Sequence, residues 1–595
     1  MKRSKRLILD PLFFSLLINV SVLFAALVLH KPFFEENDDV NFCLLAEGAF
    51  GSVDPHIICS NVLLGRLYGV LHLMPGLRWH SILQYLFLFI ALTSVSYVFL
   101  LRSERPGKGS RGRLICILFL LAVYYEAYVS LQFTKTAAIV SGAGYILLLY
   151  AAEDICRGYH ERKRRDIVIS VIAYLLLLYG ILMRASSFKL ATLLLMPAGI
   201  YVFFRIVSGS GEKTEGESKG AVAGIKRGVP FVIMFVAVLC MLVVTQKIDG
   251  AAYAKGTDWG NFREYQLARA GVIDLGYEVL DYDVNSGILD ELGISRNDAE
   301  MYLTWQFGDD NVLDTAKLKQ LVEHTPQRTF DTDDIKALAQ SIYDDLFVFT
   351  PLIMGIMLFA VYGLIVTFIE KKKGQFALLI MHFILLFGIF VYYQYKGRWN
   401  HRVVYSSLFI LMLLIVYVLS SDTASDKGET AGTLSGLPAV AGMIMITAAA
   451  CLGTLLGNRF DYNDHRRNAP DYTAFFEDIK EHKDTLYVGD TFTFQEMGRY
   501  DVFKPYGTGE LDSFVTVGSW YGNTPPVKQL MGRYGYTNPF DALAKGAGEG
   551  NVILVDNLFA DKKLTFLNEH YGSFSLNEQP AAYGLDMYRI KRKGE

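Results

Sequence analysis

Four carboxylates crowd the segment Glu35-Glu36-Asn37-Asp38-Asp39, directly behind the first apolar stretch of the chain. Acidic side chains at the edge of a bilayer are costly unless hydrated or given a task. In that place they can act as general base, bind a divalent cation, or sit in the first turn of a helix, where the dipole favours negative charge. A second cluster is basic: Tyr395-Lys396-Gly397-Arg398-Trp399-Asn400-His401-Arg402. Short outward loops are poor in Lys and Arg, so a turn this cationic suits an anion such as phosphate, although such side chains also snorkel to lipid headgroups. Lys135, Arg184 with Lys189, and Arg66 add cations at comparable places. A base plus a cationic cradle is what group transfer away from a phosphate requires.

The elements that must position these groups are membrane spans. The chain has 595 residues, of which 52% are hydrophobic. An apolar run of about 20 residues crosses the hydrocarbon core. Eleven such runs stand at 11–29, 82–101, 114–129, 136–152, 167–183, 190–204, 229–244, 346–368, 376–393, 403–419 and 437–456. The first lacks a small-residue cleavage site and reads as a retained span. Lys2, Arg3, Lys5 and Arg6 place the N-terminus in the cytoplasm, and Arg102, Arg105, Lys108, Arg111, Arg113, Arg157, Arg162, Lys163, Arg164, Arg165 and Lys371 to Lys373 then fall on the same side. An odd number of spans puts the C-terminus outside.

This alternation divides the chain into a transmembrane module, 1–457, and a soluble C-terminal part, 458–595. Within the module, 31–81 is a first outer loop and 245–345 a long outer one. The Gly, Ser, Lys and Glu-rich stretches 208–227 and 420–436 read as cytoplasmic linkers. A net charge of -3 gives no field that would draw nucleic acid. The six cysteines form no metal or disulfide pattern: Cys116, Cys240 and Cys451 lie in apolar runs, while Cys43 and Cys59 share a loop and have the placement to pair.

In the first outer loop, 41–50 and 60–74 read as amphipathic helices too short or polar to span, lying along the membrane and closed by Met74-Pro75-Gly76 and the interfacial Trp79. In the long loop, Trp259, Arg263, Tyr265 and Arg269 carry aromatic and cationic groups suited to stacking on a sugar, and equally to holding a small helical domain together. Ser295 and Asn297 are candidate caps for a helix through Ala299 to Trp305. The C-terminal part alternates strand and helix, with strands at 485–488 and 552–555, a helix at 562–571 and a final edge strand at 586–590, the pattern of a small α/β domain. Asp490 and Asp556 follow strand ends, where open sheets place their sites.

A first span, an acidic pair, two helices along the membrane and a second span form an order that resembles the entry module of the GT-C superfamily of membrane glycosyltransferases. The resemblance implies a bacterial cell-membrane enzyme that moves a sugar from a polyprenyl-phosphate donor to an extracytoplasmic acceptor, whether envelope glycan, polymer or lipid. It makes Asp38 the general base with Asp39 assisting, and the sequence alone does not rank the two. It also assigns the donor phosphate to Arg398, Arg402, Lys396, His401, Arg184, Lys135 and Arg66. Some members coordinate Mg or Mn through outer carboxylates and others use none, so the metal stays open. The fold implied is a polytopic α-helical membrane protein of about eleven spans with an outer helical loop domain and a small extracytoplasmic α/β domain. Three other readings remain: an O-antigen-type polymerase or ligase acting on lipid pyrophosphates, a flippase or transporter of envelope precursors, and a non-catalytic envelope scaffold. Transporters favour inverted repeats and charges at mid-membrane, whereas the charges here stand at span ends.

Overall fold

In the computed structural model, residues 10–74, 76–103, 109–156, 163–208, 221–325, 331–420, 437–548 and 551–594 are described. The basic residues Lys2, Arg3, Lys5, Arg6, Arg105, Lys108, Arg157 and Arg162, Pro75, and most of the two linkers lie outside them. Eleven helices among the described residues are long and apolar enough to cross a membrane, one for each expected run. Most extend past the apolar stretch, because flanking polar residues continue the helical hydrogen bonding where water or protein can solvate them. The eighth starts late. Leu346 ends the preceding helix Thr332–Leu346, and the span opens at Pro351 behind Thr350, whose hydroxyl accepts from the Ile353 amide at 3.3 Å. Proline at the first helical position loses nothing by lacking an N–H.

Helices Phe133–Cys156 and His401–Ser420 are buried along most of their length and form the bundle's centre, whereas Pro11–Leu29 and Ala221–Ala252 present rows of exposed Leu, Val and Phe. Small residues allow the central contacts. A Cβ added at Gly180 would stand 2.1 Å from the Ser141 hydroxyl, so helix Lys163–Met183 approaches Phe133–Cys156 closely only because that position is glycine. At one end of the bundle, Arg102 and Arg205 both bind Glu153, at 3.0 and 3.3 Å, and Arg165 binds Asp154 at 2.7 Å.

The three stretches without membrane-length helices gather at the other end. Strand β1 (Phe33–Phe34) pairs in parallel with β2 (Ser130–Leu131), which follows a π-helical turn, Tyr125–Val129, at the end of Gly109–Tyr124. Helix Asn37–Ala46 follows, then Val62–Leu71. The first of these does not lie along a surface as its sequence suggests: from Asp39 to Ala46 it is buried, because loops of the C-terminal domain close over it. The amides of Gly509 and Leu511 donate to the Gly48 and Ala49 carbonyls at 2.9 and 2.8 Å, and Tyr506 donates its amide to Glu47 at 2.7 Å. Cys43 and Cys59 are free thiols rather than a pair.

The C-terminal domain holds a five-stranded sheet in the order β4-β3-β5-β7-β6. Strands β3 (Leu486–Gly489), β4 (Phe514–Thr516) and β5 (Val552–Val555) run parallel, and the hairpin β6 (Phe574–Ala582) and β7 (Leu585–Arg592) adds two antiparallel strands. The last strand of the chain is therefore not an edge. It lies between β5 and β6, because a hairpin returning to the sheet buries its second arm.

A separate helical segment packs Val272, Leu289, Tyr302, Phe307 and Leu318 into its own core from helices Asp258–Ile273, Tyr282–Glu291, Arg296–Leu303 and Thr315–His324. Ser295 caps Arg296–Leu303 in a reciprocal box with Asp298. Asn297 is no cap: it lies inside the helix and donates to the Lys562 carbonyl at 3.0 Å, tying the segment to the C-terminal domain. Beside it, His570 Nε2 sits 3.0 Å from both Asp298 oxygens, and this hydrogen bond raises the imidazole above its ordinary 6.5. A raised folded-state pKa stabilises fully below the ordinary value and loses its contribution as pH rises through the folded one. Amide protection in Arg296–Leu303, corrected for intrinsic exchange, is expected to be greater at about pH 6 than at about pH 8, and His570→Gln should abolish the difference. Equal protection at both pH values in the wild type would show that the pair does not fasten the interface.

Candidate active site

The acidic segment is placed by two short-range devices. The β1–β2 ladder continues with the Glu35 amide donating to the Leu131 carbonyl at 2.8 Å, which sets Glu35 above the π-helical turn carrying Glu126. Helix Asn37–Ala46 then starts at Glu36, with Asp38 and Asp39 in its first turn, where the helix dipole favours both. The basic turn is shaped by Gly397. Its φ of +61° ends helix Lys373–Tyr395 in a left-handed cap in which Gly397 and Arg398 amides bond the Gln394 and Tyr393 carbonyls, each at 2.9 Å.

These devices bring the two clusters together. Arg402 Nη1 lies 3.4 Å from Asp38 Oδ2 and 3.4 Å from Glu36. The other Asp38 oxygen accepts the indole N–H of Trp520, from the C-terminal domain, at 2.9 Å. Arg402 also forms part of the wall of a cavity of about 850 Å³, together with Arg184, Lys396, Arg398, Ser186 and Tyr392. Four of the expected phosphate cations thus converge on one space, large enough for a phosphorylated headgroup. Arg184 stacks on Phe133 with its guanidinium 4.8 Å from the ring centre, and Arg398 is 3.6 Å from Asp274. Asp38 is not itself a wall; it stands behind Arg402 and only partly exposed.

The other expected residues separate from this group. Asp39 is fully buried: Oδ1 meets His80 Nε2 at 2.7 Å and Gln84 at 3.1 Å, and Oδ2 accepts the Phe133 amide at 3.3 Å. Burial raises its carboxyl above the ordinary range, and its contacts tie the first turn of Asn37–Ala46 to His80 and to the start of Phe133–Cys156. Adjacent residues on a helix point about 100° apart, so one faces the cleft and its neighbour the core. Lys135 does not reach the cavity. Its ammonium is buried against Glu35 and, at 2.5 Å, Glu126. His401 turns away to Asp345, 3.7 Å off, and stacks on Tyr405, while Arg66 is exposed on Val62–Leu71 and is not among the cavity walls.

All four expected sugar contacts have partners within the fold. Trp259 stacks on His56 with ring centres 4.6 Å apart and donates to Asp54 at 3.2 Å. Arg263 reaches Asp249 at 3.8 Å, and the buried Arg269 lies 3.6 Å from Asp274 and 4.8 Å from the Trp305 ring. Tyr265, buried with its hydroxyl donating to the Phe307 carbonyl at 3.4 Å, is the one of the four that also forms part of a cavity wall, that of a second cavity.

Two groups have ligand atoms within 4.8 Å of one another, Asp298, Glu569 and His570 at the interface of the helical segment with the C-terminal domain, and Glu35, Glu126 and His401 beside the acidic segment, the set to test here for a divalent cation. The Lys135 ammonium contacts both carboxylates and occupies the position a cation would take between them. Burial opposes ionisation of Glu35, yet the neighbouring ammonium holds its carboxyl below the ordinary range. The residues present therefore match a lysine-neutralised pair better than a Mg or Mn site.

Trp520 and Glu126 carried no sequence signal of their own. Trp520 follows Ser519, which adopts φ of +64°, in the loop after β4; only docking of the C-terminal domain brings it to Asp38. Asp490 and Asp556, at the ends of β3 and β5, are fully buried and shared by Lys563 at 2.7 and 2.6 Å, while Gln306 of the helical segment donates to Asp490 at 2.5 Å. The sheet end where such folds bind ligands is taken up by this internal pair. No family model matches the chain, and no curated protein is similar to it.

Proposed function

We propose that the chain is a polytopic membrane glycosyltransferase of the GT-C type, transferring a sugar from a polyprenyl-phosphate donor to an acceptor outside a bacterial cell membrane. The supporting observation is Arg402, which touches the Asp38 carboxylate on one side and the four-cation cavity on the other. In this reading the donor phosphate lies among Arg184, Lys396, Arg398 and Arg402, at the level where a lipid headgroup meets the span ends. The acceptor hydroxyl attacks the anomeric carbon, its proton passes to Asp38, and the bond from that carbon to the phosphate oxygen breaks. The charge left on the phosphate is met by the guanidinium groups. A distance of 3.4 Å between Arg402 and Asp38 is loose enough to tighten or part when substrate enters. Basic residues Arg102, Arg165 and Arg205 at the opposite end support a cytoplasmic N-terminus, with the site and C-terminal domain outside.

The direct test is sugar release from a panel of lipid donors by the purified chain in liposomes. Consumption of polyprenyl-monophosphate sugars is expected. Consumption of pyrophosphate-linked donors alone would instead favour a polymerase or ligase, because the same four cations would hold a diphosphate. Movement of intact lipid-linked sugar across the bilayer without cleavage would replace the transferase reading by transport.

A further inference from the structure

The second cavity, about 500 Å³, opens where the helical segment meets the C-terminal domain. Its walls include Asp258, Asn261, Tyr265, Asp310, Asp314 and Gln529. In charge it is the opposite of the first. Lys528, the cation on its wall, is 2.5 Å from Asp310, which leaves the remaining aspartates to set a negative field. Like charge disfavours a phosphate there. Carboxylates, carboxamides and a flanking aromatic ring instead suit a hydroxyl-rich ring: each amide offers donors and an acceptor, and each carboxylate can accept from two hydroxyls. The volume falls within the range of small-ligand sites.

Two segments of chain join the two cavities or lead from them to Asp38. Helix Asp258–Ile273 runs from one to the other: Tyr265 forms part of the acidic wall, Arg269 one turn on lies within electrostatic reach of Asp38, and Leu275 just past the helix end forms part of the basic wall. The C-terminal domain makes the same link. Trp520 donates to Asp38, and Asn523, three residues later and so at most about 11 Å along the chain, lines the acidic cavity. We propose that this cavity is the acceptor subsite and takes a neutral or amino-bearing sugar of a glycan acceptor, not a phosphorylated one. The inference rests on the transferase reading for the word acceptor; saccharide binding itself does not depend on it.

The detergent-solubilised full chain can be applied to an array of neutral, amino-bearing and phosphorylated oligosaccharides. Binding is expected to neutral or amino-bearing glycans, weakened by about tenfold or more in Gln529→Ala and in Asn261→Trp, which fills the cavity from an exposed position, and unchanged in Lys336→Ala on the exposed face of Thr332–Leu346. No glycan bound, phosphorylated glycans alone bound, or full binding retained in both cavity variants would overturn the proposal. The array requires no donor, so the two readings fail separately. Glycan binding without turnover of any donor would remove the transferase and keep the saccharide site, whereas sugar transfer undisturbed by the cavity variants would remove the subsite and keep the transferase.

Discussion

Asp38→Asn is expected to lower sugar transfer by about 10²–10⁴-fold, the range that a positioned general base contributes. Asparagine has the same shape, and its Oδ1 still accepts the Trp520 indole N–H, so the contact with the C-terminal domain survives. What disappears is the capacity to take a proton and the charge opposite Arg402. The loss should therefore fall on kcat, with donor binding held or slightly tightened as Arg402 is freed for phosphate. Asp39→Asn should behave differently. One of its oxygens receives the Phe133 amide, and an NH2 group there sets donor against donor, so folding yield and Tm fall while turnover per folded molecule changes much less. The comparison needs kcat and donor KM on folded protein isolated by size exclusion. Wild-type turnover in Asp38→Asn would refute the assignment of the base, and a catalytic loss confined to Asp39→Asn would move the base to the buried position.

Lys563→Met is expected to carry the largest stability cost in the C-terminal domain. The ammonium is fully buried between Asp490 and Asp556, and its removal leaves two buried carboxylates without their shared cation. Breaking one buried ion pair costs about 3–5 kcal/mol. Thermal unfolding and protease cleavage within residues 470–594 should both shift, with Tm falling by about 10 °C or more. The charges rather than the packing should account for it. In a triple variant with Asp490→Asn and Asp556→Asn, the new carboxamides keep the Oδ1 atoms that accept the Thr493, Leu558 and Phe559 amides. Gln306, whose Oε1 is buried without a partner, can turn its own carboxamide to accept from the NH2 group introduced by Asp490→Asn. The triple variant is expected to recover most of the stability; if it is as unstable as Lys563→Met, lost packing and not buried charge is the cause.

The span pattern was legible because a hydrocarbon core demands about 20 apolar residues in a row, a local property of the chain. All eleven runs became helices, and the departures lie at their ends, as at Leu346, where one residue belongs to the preceding helix. The basic turn could also be seen, since cations in a short loop at a span end stand out against an apolar background. Which cations meet could not. Arg184 and Arg402 are more than two hundred residues apart and share a cavity, while Lys135 and His401, equally basic on paper, face buried or half-buried carboxylates.

Asp38 and Asp39 show the limit most directly. Residue type and spacing marked the pair as chemically able, but two neighbours on one helix point in different directions, and only the packing of Phe133 and His80 against one of them decides which is buried. The same holds for the final strand, whose composition suited an edge and whose place inside the sheet depends on pairing with β5. By itself, then, the sequence determined the membrane-length helices, the α/β character of the C-terminal domain and the chemical types available at the span ends, because each follows from patterns within a few turns of chain. The tertiary structure decided that Asp38 rather than Asp39 faces Arg402, that Trp520 completes its surroundings, and that residues far apart in the chain line two cavities of opposite charge, because those contacts join segments hundreds of residues apart through packing that no local pattern encodes.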